Sequence, residues 1–197
     1  MSTPLFAFFS QFPGFHYTQF SHPSDALDRL VALRYLWQPI YGSDKRRLRQ
    51  AYRDALVQEF NLLFGTEVDD LAVWQNLCRR IGIEAPPTVK ECHQYCVELI
   101  SRTHVNLVDL VNAERNNSGV RVFPTVQALS DYSKDNGRIF PRHNIYAGDL
   151  LQYLLRHIDN PSQDDRRGEG GSRGRGGRGR RAGRGHGRGR AATIPNQ

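Results

Sequence analysis

The stretch that decides the fold is SDKRRLRQAYRDALVQEFNLLFG, residues Ser43–Gly65. Its apolar residues recur every three or four positions, the spacing of one face of a long amphipathic helix. Those on one side are Leu48, Tyr52, Ala55, Leu56 and Leu63. Ser43 is placed to cap the beginning of this helix, and Gly65 suits its C-terminal end.

Helical periodicity continues on both sides of this stretch. A helix capped by Ser24 should stop near Pro39, and another should run from about Asp69 to Gly82. Thr88–Glu91 has the pattern of a capping box, and Thr103 should begin a further helix carrying Val108 and Val111.

A short echo follows, because Arg121–Pro124 (RVFP) recurs as Arg138–Pro141 (RIFP), each before a helical pattern. Two copies are too few for a solenoid. We therefore predict an all-α fold: a compact body of about six to eight helices over residues 1–160, with a possible hinge near 83–88.

Charge divides the chain at the end of this body. Residues 161–197 carry 10 Arg and 3 acids, whereas residues 1–160 carry 17 Lys and Arg against 17 Asp and Glu. All 20 aromatic residues precede residue 161. The C-terminal segment lacks the apolar surface that would offset its ordering entropy, so we expect a disordered tail.

The tail is built from Arg and Gly. Gly leaves the backbone free, while the Arg guanidinium grips phosphate bidentately and stacks on bases. This composition predicts binding to RNA or other polyanions with little sequence readout. The predicted nucleic-acid-binding residues are Arg173, Arg175, Arg178, Arg180, Arg181, Arg184, Arg188 and Arg190. The alternative is a tail that only solubilises the protein or accepts methyl groups.

A second basic feature lies in the long helix. Arg46, Arg49 and Arg53 fall in one stripe beside the apolar face, so they are a secondary phosphate-contacting candidate. Cations near a helix N-terminus oppose the helix dipole at a small cost, which hints at a partner. The alternative is a solvated charged face.

Aromatic residues crowd the N-terminus, with seven in the first 20 residues. No Lys or Arg precedes Arg29, so a base-stacking platform is disfavoured here. Core packing or a groove for a protein partner is the better interpretation.

No pattern predicts catalysis, a metal or a cofactor. Cys92 and Cys96 share a predicted apolar face rather than paired ligand turns, so a buried structural role is favoured. In Thr103–Asp109 (THVNLVD), His, Asn and Asp lie close in sequence without a recognisable nucleophile motif, and helix capping explains Asn106 equally well. We therefore predict a protein that is not an enzyme.

Several motifs occur in a fixed order along the chain: Phe8-Phe9 with Phe12-Pro13, Phe15 and Tyr17; Asp70–Cys78 (DLAVWQNLC); His104–Asp109 (HVNLVD); and Leu154–Ile158 (LLRHI). Their order and spacing resemble a family of fungal proteins that has no assigned activity. The resemblance covers roughly residues 5–158 and implies a shared fold, with no catalytic residues.

These observations predict a helical protein-interaction module with an RNA-binding tail. The alternative is a scaffold protein whose tail is only solubilising or methylated. An odd count of three cysteines favours a reducing, intracellular location, and the Arg-rich tail favours the nucleus or nucleolus over the cytoplasm. No stretch approaches 18 apolar residues, so no membrane partner is expected.

Overall fold

The computed structural model describes residues 2–84, 88 and 103–155. These residues form eight helices and one short pair of strands, which confirms the all-α prediction. The elements are α1 (Pro4–Ser10), α2 (Pro23–Ala32), α3 (Arg34–Tyr41), α4 (Lys45–Phe64), α5 (Leu71–Ile81), β1 (His104–Val105), α6 (Leu107–Asn116), β2 (Val122–Phe123), α7 (Val126–Asp135) and α8 (Asp149–Leu154).

The 20-residue helix α4 is the centre of the packing. Its residues contact α1, α3, α5 and α6. Leu48, Leu56 and Phe60 on its inner face are fully buried. Gly65 ends the helix with φ +82°, and a Cβ there would lie 2.7 Å from a methyl group of Val73, so glycine is required at this position.

Helix boundaries differ from the sequence prediction at several N-termini. Asp44, not Ser43, caps α4, and its carboxylate accepts from the backbone N–H of Arg46 at 2.9 Å. His22, not Ser24, caps α2, and Pro23 occupies the first helical turn. A residue caps a helix when its backbone is extended and its side chain accepts a hydrogen bond from the first turn. Asp44 and His22 meet this condition, and each lies within two residues of the predicted cap.

The helix predicted to stop near Pro39 is two helices. The break falls at Leu33, and α3 continues through Pro39 to Tyr41. Pro39 is tolerated because it lies in the last turn of a short helix, where its missing N–H removes only one hydrogen bond.

The segment expected to be helical from Thr103 begins with a strand instead. His104 and Val105 pair antiparallel with Phe123 and Val122, and α6 starts only after the Asn106 cap. Only the first of the two echoed motifs forms a strand, and α7 follows it directly. Turns separate the second from α8.

Five of the seven N-terminal aromatic residues pack into the core. Phe8, Phe9, Phe12 and Tyr17 are buried, and Phe15 packs against them. Phe6 and Phe20 are 46% and 75% exposed. Core packing therefore accounts for most of this cluster. Residues 85–87 of the predicted hinge near 83–88, the segment carrying Cys92 and Cys96, and the tail all lie outside the described residues.

Candidate nucleic-acid interface

The first three turns of α4 carry the main basic surface of the described chain. Five cations and two acids lie between Asp44 and Asp54. Arg46, Arg49 and Arg53 are exposed, while Leu48 and Tyr52 of the same turns are buried. The predicted stripe therefore lies beside the apolar face, and its role in binding stays a prediction.

Arg47 joins these three side chains. Arg46, Arg47, Arg49 and Arg53, together with Gln50, line an open groove of about 420 Å³. Among residues 2–84 and 103–155, the only ion pair made by these four arginines joins Arg46 to Asp44, at 3.3 Å. Guanidinium groups without carboxylate partners are the donors that phosphate oxygens use.

Asp44 caps α4 at one end of the groove and pairs there with Arg46. The backbone N–H of Arg46 lowers the pKa of Asp44, and the Arg46 and Arg47 side chains act in the same direction. The first turn of α4 contains no acid, so its cations face an unfavourable helix dipole. An anion bound in the groove would neutralise its unpaired arginines. It would also offset the unfavourable interaction of these cations with the helix dipole.

A second polar cluster surrounds Asp109 at the start of α6. Its Oδ1 accepts from His22 Nε2 at 3.0 Å and from Arg138 at 2.9 Å, and its Oδ2 accepts from the Tyr132 hydroxyl at 2.7 Å. Asn106 caps α6 by accepting from the N–H groups of Val108 and Asp109. The cluster ties α2, α6 and α7 together.

His22 has both ring nitrogens engaged in this cluster. Nδ1 lies 3.3 Å from the backbone N–H of Ser24, from which it accepts, so the proton is on Nε2 and is donated to Asp109. A neutral imidazole held in this way has no lone pair directed at a ligand. His104, which lies near Asp109 in the sequence, is buried in β1.

A third cluster lies inside the core, around Glu59 of α4. Its Oε2 accepts from the N–H of Leu5 at 2.9 Å, and its Oε1 lies 3.4 Å from Arg115 Nε. Arg115 also donates to the Tyr17 hydroxyl and stacks over its ring. Burial raises the pKa of Tyr17 to about 12 despite the Arg115 charge. These contacts fasten the N-terminus to α4 and α6.

The eight arginines predicted to bind nucleic acid, and Cys92 with Cys96, lie outside the described residues. Within the described ranges, no group of His, Cys, Asp and Glu side chains is arranged to hold a metal ion. No helix in the same ranges combines the length and apolar character needed to cross a membrane.

No protein-family model, curated protein or solved structure matches this chain. The resemblance to the fungal family therefore stays a prediction. The residues that sequence reasoning missed are His22, Tyr132 and Arg138 around Asp109, and Asn144, which contacts α4. Their partners are distant in sequence, and no local pattern marks them.

Proposed function

We propose that this chain is a non-enzymatic RNA-binding protein. Its Arg-Gly segment supplies most of the affinity, and the helical body adds a second basic surface on α4. The proposal rests on arginine side chains whose positive charge is not balanced by neighbouring carboxylates. The segment 161–197 has 10 Arg against 3 acids, and three of the four arginines lining the α4 groove have no carboxylate partner among the described residues.

Phosphate chemistry explains why RNA suits both surfaces. Each guanidinium that neutralises a phosphate releases condensed counterions, which favours binding whatever the base sequence. Two linked basic surfaces on one chain raise the effective concentration of the second for a strand held by the first. Binding should therefore be tight at low salt and show little sequence specificity.

Fluorescence anisotropy with a labelled single-stranded RNA tests this proposal in the full chain. Replacing all ten arginines of segment 161–197 by Gln should lower affinity at least about 100-fold at moderate salt, because the main phosphate donors are lost. The triple variant of α4, Arg46→Gln, Arg49→Gln and Arg53→Gln, should lower it less.

A charge-matched control removes three other exposed cations. Arg34, Arg79 and Lys134 lie on α3, α5 and α7, and their replacement by Gln changes the net charge by the same amount as the α4 triple variant. The control should retain the affinity of the natural chain. Equal losses in the two triple variants would contradict a localised site on α4.

A second candidate function is protein interaction through the body. Phe20, which is 75% exposed, and Phe6, which is 46% exposed, favour it, because large aromatic side chains left in water often mark partner contacts. Crosslinking of the intact protein in cells should then capture a protein whose recovery falls in Phe20→Ser. Unchanged recovery would contradict this second function.

A further inference from the structure

Asp54, the acid that follows Arg53 on α4, is held by amides rather than by an arginine. Asp54 Oδ1 accepts from Gln50 Nε2 and from Asn144 Nδ2, each at 2.8 Å. Its carboxylate therefore joins the loop after β2 and α7 to α4. Arg49 and Arg53, one turn and one residue before it, are left available for an external anion.

The loop that Asp54 holds, residues 141–148, runs towards the basic end of α4 and back. Before it, the Phe140 ring packs edge-on against Phe60, with ring centres 5.9 Å apart. At its middle, Asn144 reaches Asp54, six residues nearer the helix N-terminus. It then returns, and the Tyr146 carbonyl accepts from Asn61 at 2.7 Å.

The middle of the 141–148 loop brings two more basic residues to the side of the body that carries Asp54 of α4. Arg142 and His143 immediately precede Asn144, so their backbone is anchored beside the turn that carries Gln50 and Arg53. Both line a second groove, of about 680 Å³, which is also lined by Gln152 of α8 and by Leu155, the residue after α8.

The return of the loop presents apolar side chains to solvent. Ile145 is 88% exposed and Tyr146 is 44% exposed, while the backbone of Tyr146 is held by Asn61 and Asn144. Leu62, the neighbour of Asn61, is 62% exposed. Asn61 lies about two turns beyond Arg53 on α4. An exposed ring on a fixed backbone, on the same helix and loop as these arginines, suits single-strand binding, since unpaired bases stack on aromatic faces.

We propose that α4 and the 141–148 loop form one face for single-stranded nucleic acid, on which Arg46, Arg49, Arg53 and Arg142 hold phosphates and Tyr146 stacks a base. This inference rests on the proposed function and names its substrate class. Duplex RNA fits poorly, because its bases are stacked internally and only its backbone and shallow groove are presented. The density of unpaired arginine favours an anionic strand over a protein partner.

The test compares single-stranded and duplex RNA of equal length, using the full chain. Tyr146→Ser should lower single-strand affinity about five-fold or more, because one base–aromatic contact is lost, and should leave duplex affinity unchanged. Tyr146→Phe keeps the ring and should retain affinity. Tyr35→Ser removes a 70% exposed ring on α3 and serves as the control. Circular dichroism should show that all three variants fold.

The outcomes separate this inference from the proposed function. If the natural chain and Tyr35→Ser bind RNA through the tail but Tyr146→Ser binds single strands equally well, the single-strand face is wrong and the proposed function stands. Such a result would favour a protein partner for the surface formed by α4 and the 141–148 loop. If Tyr146→Ser weakens single-strand and duplex binding equally, stacking is also refuted. If the natural chain binds no RNA, both proposals fail.

Discussion

Replacing the buried carboxylate of Glu59 is the sharpest test of how the body is held together. Glu59 is fully buried, and its two oxygens face different partners, the Leu5 N–H and the Arg115 guanidinium. Glu59→Gln keeps the shape and an acceptor for Leu5. It removes the negative charge that compensates Arg115, whose side chain is only 7% exposed.

The expected cost follows from leaving Arg115 buried without a counter-charge. Breaking a buried pair by removing one partner destabilises a protein by about 3–5 kcal/mol. In a chain of this size each kcal/mol lowers the melting temperature by about 2–4 °C, so the variant should melt about 6–20 °C lower. The Tyr17 hydroxyl can still accept from Arg115, but it carries no charge to replace the carboxylate.

Urea unfolding followed by circular dichroism measures this free energy. Glu67→Gln is the matched control, because Glu67 is exposed and its loss should change stability by less than about 0.5 kcal/mol. The double variant Glu59→Gln with Arg115→Met removes both charges and should recover part of the loss. A Glu59→Gln variant within about 1 kcal/mol of the natural chain would refute the reasoning.

Three further predictions concern pH and the body. Burial raises the pKa of Asp109, but the bonds from His22 and Tyr132 and the charge of Arg138 outweigh it, so the pKa is lowered. Its stabilisation is therefore lost as pH falls through the folded value, and Asp109→Asn should flatten the acid limb of a stability–pH curve. Because the pKa of Tyr17 is raised to about 12, its stabilisation is complete below about pH 10 and is lost above it. Tyr17→Phe should reduce this alkaline decline, and an unchanged decline would contradict the assignment. A chain ending at residue 160 should keep its helical signal and a cooperative melt, and loss of cooperativity would show that the body needs the tail.

The sequence predicts well those elements whose signals are local. Helix α5 follows its pattern closely, from the Asp70 cap to Gly82, which ends it with a left-handed φ of +83°. Helix α4 and its terminal Gly65 are equally clear. In both, apolar spacing and capping chemistry act within a few residues, so the pattern and the structure are set by the same interactions.

Features that depend on distant contacts escape such reasoning. The strands β1 and β2 have two residues each, too few to show an alternating pattern. His22 and Asp109 are 87 residues apart, and Asp54 and Asn144 are 90 apart. One part of the candidate interface could be predicted from the sequence. Arg46, Arg49 and Arg53 are spaced three and four residues apart, which places them on one side of a helix. The loop residues beside it become visible only when the chain is folded.

The central claim, that the Arg-Gly segment binds RNA through phosphate contacts, is tested most directly by salt dependence. The affinity of the full chain for single-stranded RNA is measured from low to moderate salt, beside the variant with ten arginines of segment 161–197 replaced by Gln. Each phosphate contact contributes about −0.7 to the slope of log K against log salt, so the natural chain should approach but not exceed about −7 from this segment. The variant should keep only the shallow slope of about −3 that four phosphate contacts, from Arg46, Arg49, Arg53 and Arg142, give. Equal affinities and equal slopes in the two proteins would contradict the claim and would make the basic surface of α4 the principal RNA-binding element.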